Sequence, residues 1–138
     1  MTEFPDASPD AQSAADQETL ALAERLFDAA RAGDTETLRT YVSAGVPATL
    51  TNAAGDSLLM LAAYHGHSAA TALLIELGAE VNTLNDRGQS PLAGAVFKGY
   101  ADVVRVLAVA GADPDAGNPS ARAAAAYFQR TELLDILA

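Results

Sequence analysis

The two histidines, His65 and His67, are the side chains best suited to chemistry, because an imidazole can transfer a proton or bind a metal near neutral pH. They lie two residues apart at a predicted helix end, so they do not share a helical face, and no cluster of further ligands is nearby. The chain contains no cysteine, which excludes disulfides and thiolate metal sites. The sequence therefore predicts no metal site and no cofactor.

Acidic residues are the other candidates for acid–base chemistry. Asp113 and Asp115 fall on a predicted loop, where their expected role is turn formation and solvation. The sequence contains no phosphate-binding loop, no Gly-x-Ser-x-Gly and no His-Glu-x-x-His pattern. We therefore expect that the protein is not an enzyme and that it acts by binding.

Composition narrows the class of partner. The 138 residues include 18 Asp or Glu and 8 Lys or Arg, which gives a formal net charge of −10. Such a surface repels phosphate, so binding to nucleic acid or to an anionic membrane is not expected. No apolar run approaches the ~20 residues that span a bilayer, and the first residues do not resemble a signal peptide. These observations predict a cytoplasmic monomer that binds another protein.

Residues 1–16 are predicted to form a disordered acidic tail. They combine Pro5 and Pro9 with Glu3 and Asp6, further acids, small residues and no basic residue. A segment of this kind buries too little apolar surface to offset the entropy of ordering it. It can serve as an acidic interaction tail or as a solubilising leader.

A constant spacing between glycines organises the rest of the chain, and we call it the glycine step. It separates the members of three series: Gly33, Gly66 and Gly99; Gly45, Gly78 and Gly111; and Gly55 and Gly88. Within each step, apolar residues recur at helical spacing and predict two short helices. The pattern predicts an all-α solenoid of about four helix-turn-helix repeats with short β-hairpin or loop connections. The repeats fall at about 17–50, 51–83, 84–116 and 117–138.

The last repeat is shorter than the others. Ser90 follows Ser57 by one full glycine step, whereas Ser120 follows Ser90 by three residues fewer. The apolar run at 133–137 follows the run at 103–107 at the same reduced spacing. Three residues are therefore missing, and we place the deletion in the loop Asp113–Asn118. The result is a shortened C-terminal cap. The sequence leaves two alignments of residues 121–129 with the earlier repeats, which differ by one residue.

Several motifs resemble the ankyrin-repeat family over about residues 18–138, in a small protein that we expect to be bacterial. The run from Gly88 to Ala95 is similar to the Thr-Pro-Leu-His-x-Ala signature, and Gly66-His67 matches the Gly-His that follows it. The resemblance implies a structural role for His67. Met60 and Ala93 replace the signature histidine, so the hydrogen bond it makes to a neighbouring turn is expected to be absent.

The resemblance also implies a binding face. In ankyrin repeats the ends of the first helices and the hairpin tips line a concave groove. Tyr64 and Phe97 are expected to bind a partner there, whereas Tyr127 and Phe128 are expected to cover the core of the last repeat. The candidate partner-binding residues at helix ends and hairpin tips are Arg31, Tyr64, His65, Phe97, Lys98, Tyr127, Asp56, Asp86, Arg87 and Gln89.

The function implied is that of a non-catalytic module that binds a partner protein through its concave face. Aromatic side chains and Arg dominate the energetics of protein interfaces, and the predicted helix ends are rich in both. The alternative is a dedicated accessory protein, chaperone or inhibitor of one enzyme encoded nearby, such as a catalase or a toxin.

Overall fold

The structure is a computed structural model that describes residues 9–137, and the side chains of residues 16–137. Within these residues the chain forms eight helices. In chain order they are α1 (Pro9–Ala32), α2 (Thr35–Ser43), α3 (Leu58–Tyr64), α4 (Ser68–Glu76), α5 (Pro91–Lys98), α6 (Ala101–Val109), α7 (Ala121–Tyr127) and α8 (Thr131–Leu137).

The helices form two layers. The inner layer contains α1, α3, α5 and α7, and the outer layer contains α2, α4, α6 and α8; each helix packs against its partner and its neighbours in the same layer. A continuous aliphatic core lies between the layers, with Leu58 and Leu92 of the inner layer and Leu74 and Leu107 of the outer layer buried. The predicted all-α repeat solenoid is confirmed.

Serine residues fix the starts of three inner helices. The hydroxyl groups of Ser57, Ser90 and Ser120 accept hydrogen bonds from the backbone N–H three residues later, at 3.0, 3.0 and 3.1 Å. Such an N-cap satisfies a donor that has no partner inside the helix. The caps place α3, α5 and α7 in equivalent positions and confirm that the last step is shortened by three residues.

The same reduced spacing holds at the ends of the inner helices. The N–H of Arg130 bonds to the carbonyl of Ala125 at 2.8 Å, as the N–H of Tyr100 bonds to Ala95 at 3.0 Å. Residues 121–129 therefore have one register. Since Gly111 still obeys the glycine step, the missing residues lie between it and α7, where the sequence predicts them.

The connecting fingers are tight turns ordered by asparagine. The Oδ1 atom of Asn52 accepts from the N–H groups of Ala54 and Asp56, each at 3.0 Å. Asn85 does the same for the N–H groups two and four residues further on. One antiparallel bridge, between Thr51 and Ser57, is present in the described part of the chain, so the fingers are shorter than full hairpins.

Backbone hydrogen bonds connect each finger to the next. The N–H of Asp86 donates to the carbonyl of Ala54, and the N–H of Asn118 donates to the carbonyl of Gly88, both at 3.0 Å. The shortened loop before α7 thus also bonds to the finger before it, through different positions.

The N-terminal helix begins earlier than the sequence predicts. Helix α1 extends back to Pro9, so residues 9–16 are helical, and the prediction of a disordered tail is wrong for them. Proline is tolerated in a first helical turn, and the Ala and Gln residues that follow favour helix. Residues 1–8 lie outside the described residues, and the tail remains a prediction for them.

Candidate protein-binding surface

Each inner helix ends just before a residue with left-handed backbone. The residues are Gly33, Gly66, Gly99 and Gln129, with φ of 76°, 82°, 79° and 56°. Two positions earlier stand four residues that we call the ridge: Arg31, Tyr64, Phe97 and Tyr127. The structure therefore places Tyr127, and not Phe128, in the position equivalent to Phe97.

Tyr64 is half-buried, because α5 passes close to it. A Cβ atom at Gly94 would lie 3.1 Å from Cδ1 of Tyr64, a tight contact that glycine avoids. The Nζ atom of Lys98 lies 5.3 Å from the centre of the Tyr64 ring, and the His65 ring packs edge-to-face with Tyr64, with ring centres 5.8 Å apart. Tyr64 thus contributes to packing between repeats as well as to the surface.

Phe97, Tyr127 and Phe128 form an exposed aromatic cluster. Their exposed fractions are 49%, 80% and 41%, and Phe128 packs edge-to-face on Phe97 and on Tyr127, with ring centres 5.3 and 5.0 Å apart. The expectation that Tyr127 covers the terminal core is wrong, because Ala125 and Leu133 already close that core beneath the helix.

An apolar groove lies between α5 and α7, beside the aromatic cluster. Its volume is about 460 Å³, within the ~300–1,000 Å³ of typical small-ligand sites. Small side chains and the three rings of the aromatic cluster line it, and no charged residue does. The lining residues are Gln89, Ala93, Gly94, Phe97, Pro119, Ala123, Ala124, Tyr127 and Phe128.

The predicted finger-tip residues divide into two kinds. Asp56 and Gln89 are half-buried and accept hydrogen bonds from Nδ2 of the buried Asn85, at 2.8 and 3.0 Å. Asp56 thereby joins neighbouring fingers, whereas Gln89 stabilises the finger that it shares with Asn85. Asp86 and Arg87 are exposed and extend the surface.

The first half of the ridge surrounds a smaller cavity of about 180 Å³. Arg31 lies on its wall and forms an ion pair with Asp28 at 2.9 Å. His65 is exposed, and its Nδ1 atom lies 2.8 Å from the carbonyl oxygen of Leu61 in its own helix. The cavity brings together several predicted site residues; its lining is Arg31, Asp56, Met60, Leu61, Tyr64, His65 and Arg87.

A second periodic position, directly after the left-handed residue, connects successive repeats. His67 packs over Gly33, and its Nε2 atom lies 2.7 Å from the carbonyl oxygen of Arg31. Tyr100 packs over Gly66 in the same way. The structural role expected of His67 is confirmed.

Arg130 completes the series in the last repeat. Its Nη2 atom donates to the carbonyl oxygen of Phe97 at 3.2 Å, and its guanidinium lies against Gly99. Tyr100 and Arg130 were not among the residues that the sequence predicts to be important. The signal that could have found them is their spacing: Tyr100 follows His67 by one full glycine step, and Arg130 follows Tyr100 by the shortened one.

Neither a metal centre nor a membrane-spanning helix emerges from residues 9–137. Among the side chains of residues 16–137, no three His, Asp or Glu are grouped so that they could hold a metal ion. None of the described helices is long and apolar enough to cross a bilayer.

Comparison with known proteins agrees with this architecture. A family model for three copies of the ankyrin repeat matches residues 26–118, about two thirds of the chain. The chain belongs to the ankyrin-repeat family. The match ends before α7, at the ankyrin repeat that the deletion shortens. Ankyrin repeats generally mediate interactions between proteins.

An ankyrin repeat protein of Pseudomonas aeruginosa is 47% identical over 58 residues. The matched segment covers 42% of this chain and 34% of that protein. This ankyrin-repeat chain therefore spans about a third of the length of that relative, and the similarity supports the fold and family.

Proposed function

We propose that this protein is a non-catalytic module that binds a partner protein through its concave face, with Phe97, Tyr127 and Phe128 as the anchors. The observation that carries the proposal is the exposed aromatic cluster beside an apolar groove. Exposed rings of this kind add little to folding, whereas aromatic side chains are enriched among the residues that dominate binding energy.

The position of the cluster supports the proposal. All three rings lie at the end of an inner helix, where the ankyrin fold presents its concave groove, and they contact one another rather than the core. A standard interface buries ~800 Å² per partner. The groove, the aromatic cluster and the neighbouring finger tips together offer a surface on which such an interface can be centred.

The proposal is tested by isolating the partner from the native host with the full chain as bait. The affinity of the purified pair is then measured for Phe97→Ala and Tyr127→Ala. Each substitution is expected to weaken binding by more than ~1 kcal/mol while the thermal midpoint stays within about 2 °C of the original.

Val109→Ala is the matched control, because Val109 is 90% exposed on the outer layer. It removes exposed apolar surface from the opposite side of the molecule and should leave binding unchanged. If Val109→Ala weakens binding and the two aromatic substitutions do not, the partner binds the outer layer and the proposal fails.

A further inference from the structure

Acidic residues are absent from three of the four inner helices, whereas α1, the fourth, carries five. Helices α3, α5 and α7 of the inner layer contain no acidic residue, although the chain has 18 of them. Their only charged residues are Lys98 and Arg122. Every outer helix carries at least one acid; the residues are Glu36, Glu76, Asp102, Glu132 and Asp135.

Cations without a carboxylate partner lie close to the apolar groove. Lys98 follows Phe97 and contacts the Tyr64 ring, and the guanidinium of Arg130 lies 5.6 Å from the centre of the Phe128 ring. Neither Lys98 nor Arg130 lies within ion-pairing distance of a carboxylate in the described part of the chain. Arg122, by contrast, pairs with Asp115 at 3.0 Å.

The other large groove of the molecule has the opposite character. It has a volume of about 720 Å³ and lies between α1 and the first finger. Glu24 and Asp28 line it, with Arg31 as the one cation among the residues of its wall. An anionic ligand is therefore repelled there.

We propose that the groove between α5 and α7 binds an acidic peptide segment of the partner. One bulky apolar side chain of that segment enters the groove, and flanking carboxylates meet Lys98 and Arg130. Charge complementarity then selects the partner and orients it, because the rest of the surface has the same sign as the peptide. This inference rests on the proposed function and adds to it the chemistry of the partner.

The test uses the full chain and two displayed peptide libraries, each with Leu, Phe or Trp fixed at the centre. The flanking positions are Asp, Glu, Ser and Gly in one library and Lys, Arg, Ser and Gly in the other. Enrichment is expected from the acidic library alone. Affinity for the enriched peptides should fall at least about fivefold when NaCl is raised from about 50 to about 300 mM.

Two substitutions locate the binding site. Ala123→Trp fills the groove from an exposed position on α7, and Lys98→Glu reverses the charge at its edge. Each should weaken the enriched acidic peptides at least about fivefold. Arg39→Glu is the matched control: it makes the same charge change at an exposed position of outer helix α2 and should have no effect. Thermal midpoints confirm that all variants are folded.

The outcomes separate this inference from the proposed function. If basic peptides are enriched and Ala123→Trp blocks their binding, the inference of an acidic partner is wrong, but the proposed binding site on the concave face stands. If neither Ala123→Trp nor Phe97→Ala weakens the acidic peptides, binding occurs elsewhere, and both the inference and the proposed function are overturned. If the free chain sediments as a dimer and Ala123→Trp abolishes that dimer, the groove binds a second copy of the chain and the inference is overturned. Failure to enrich peptides from either library also overturns it.

Discussion

The Nε2 atom of His67 lies 2.7 Å from the carbonyl oxygen of Arg31, so the first two repeats are joined by a hydrogen bond at the end of helix α1. Carbonyl groups in the last turn of a helix have no partner inside it. The ring provides one and also covers Gly33. Because a carbonyl oxygen only accepts, Nε2 carries the hydrogen. The histidine that first suggested chemistry is therefore a connector between repeats.

His67→Ala is expected to lower the free energy of unfolding by about 1–2 kcal/mol, because it removes both the hydrogen bond and the packing over Gly33. Urea denaturation followed by circular dichroism measures the change. His65→Ala is the control, since the His65 ring is exposed and bonds within its own helix. Equal losses for the two histidines would show that the contact between repeats adds nothing.

Gly33→Ala should be more damaging than Gly111→Ala. Both glycines have positive φ, 76° and 89°, which alanine tolerates poorly. At Gly33 the new Cβ would also lie 2.6 Å from Nδ1 of His67, whereas nothing lies within 4 Å at Gly111. We expect Gly33→Ala to cost at least about 1 kcal/mol more. In the His67→Ala background this excess should disappear, and its persistence would place the clash elsewhere.

The sequence predicted those parts of the fold that depend on local signals. The glycine step, Ser90 followed by Pro91, and the deletion before Ser120 are all local, and they predicted the helix pairs and the short last repeat. The half-burial of Tyr64 was not predictable in the same way, because it depends on Gly94 in the next repeat. A contact between repeats depends on geometry across the stack, which the spacing of residues in one repeat does not specify.

The register of the last repeat shows the same limit at one residue. Glycine follows each of the earlier inner helices, but Gln129 takes this position after α7. A search of the sequence for glycine therefore does not locate the end of α7. Gln129 takes the left-handed conformation with φ of 56°. Its identity carries no signal for that conformation, and Tyr127 could be assigned to the ridge only from the backbone. The same backbone exposes Tyr127, although the sequence predicted that this residue would cover the core of the last repeat.

Gln129→Gly is expected to stabilise the protein by about 0.5–1 kcal/mol. The left-handed conformation costs a residue with a side chain ~1–2 kcal/mol, and glycine avoids this cost at the expense of a more flexible unfolded chain. Thermal and urea unfolding measure the gain. Gln129→Ala is the control and should change little, because alanine keeps the strained conformation. A gain of the same size for alanine would attribute the effect to the glutamine side chain.

Asp34 should give the stability of helix α2 a dependence on acid pH. The Thr37 hydroxyl donates to its Oδ2 atom at 2.7 Å and the Thr37 N–H donates to its Oδ1 atom at 3.1 Å, which lowers the pKa of the carboxyl below its usual 3.8. A lowered pKa means that the stabilisation is present above pH 3.8 and is lost as pH falls through the folded value.

Asp34→Asn keeps an acceptor at this cap but cannot titrate. The difference in urea midpoint between the original protein and this variant should stay constant from neutral pH to about pH 5 and shrink below pH 3.8. Thr37→Val removes the hydroxyl donor and should reduce the effect of pH. A difference that is the same at every pH would show that the charge of Asp34 does not stabilise the helix.

Tyr64→Ala and Phe97→Ala should separate folding from binding. Phe97 is half-exposed and packs on Phe128, so its loss should affect the partner far more than the fold. Tyr64 lies against Gly94 and Lys98, so its loss should also lower the free energy of unfolding, by about 1–2 kcal/mol. Urea unfolding and partner titration on the same samples measure both effects. Equal losses of stability for the two substitutions would contradict a packing role for Tyr64 and would show that it stabilises the fold no more than Phe97 does.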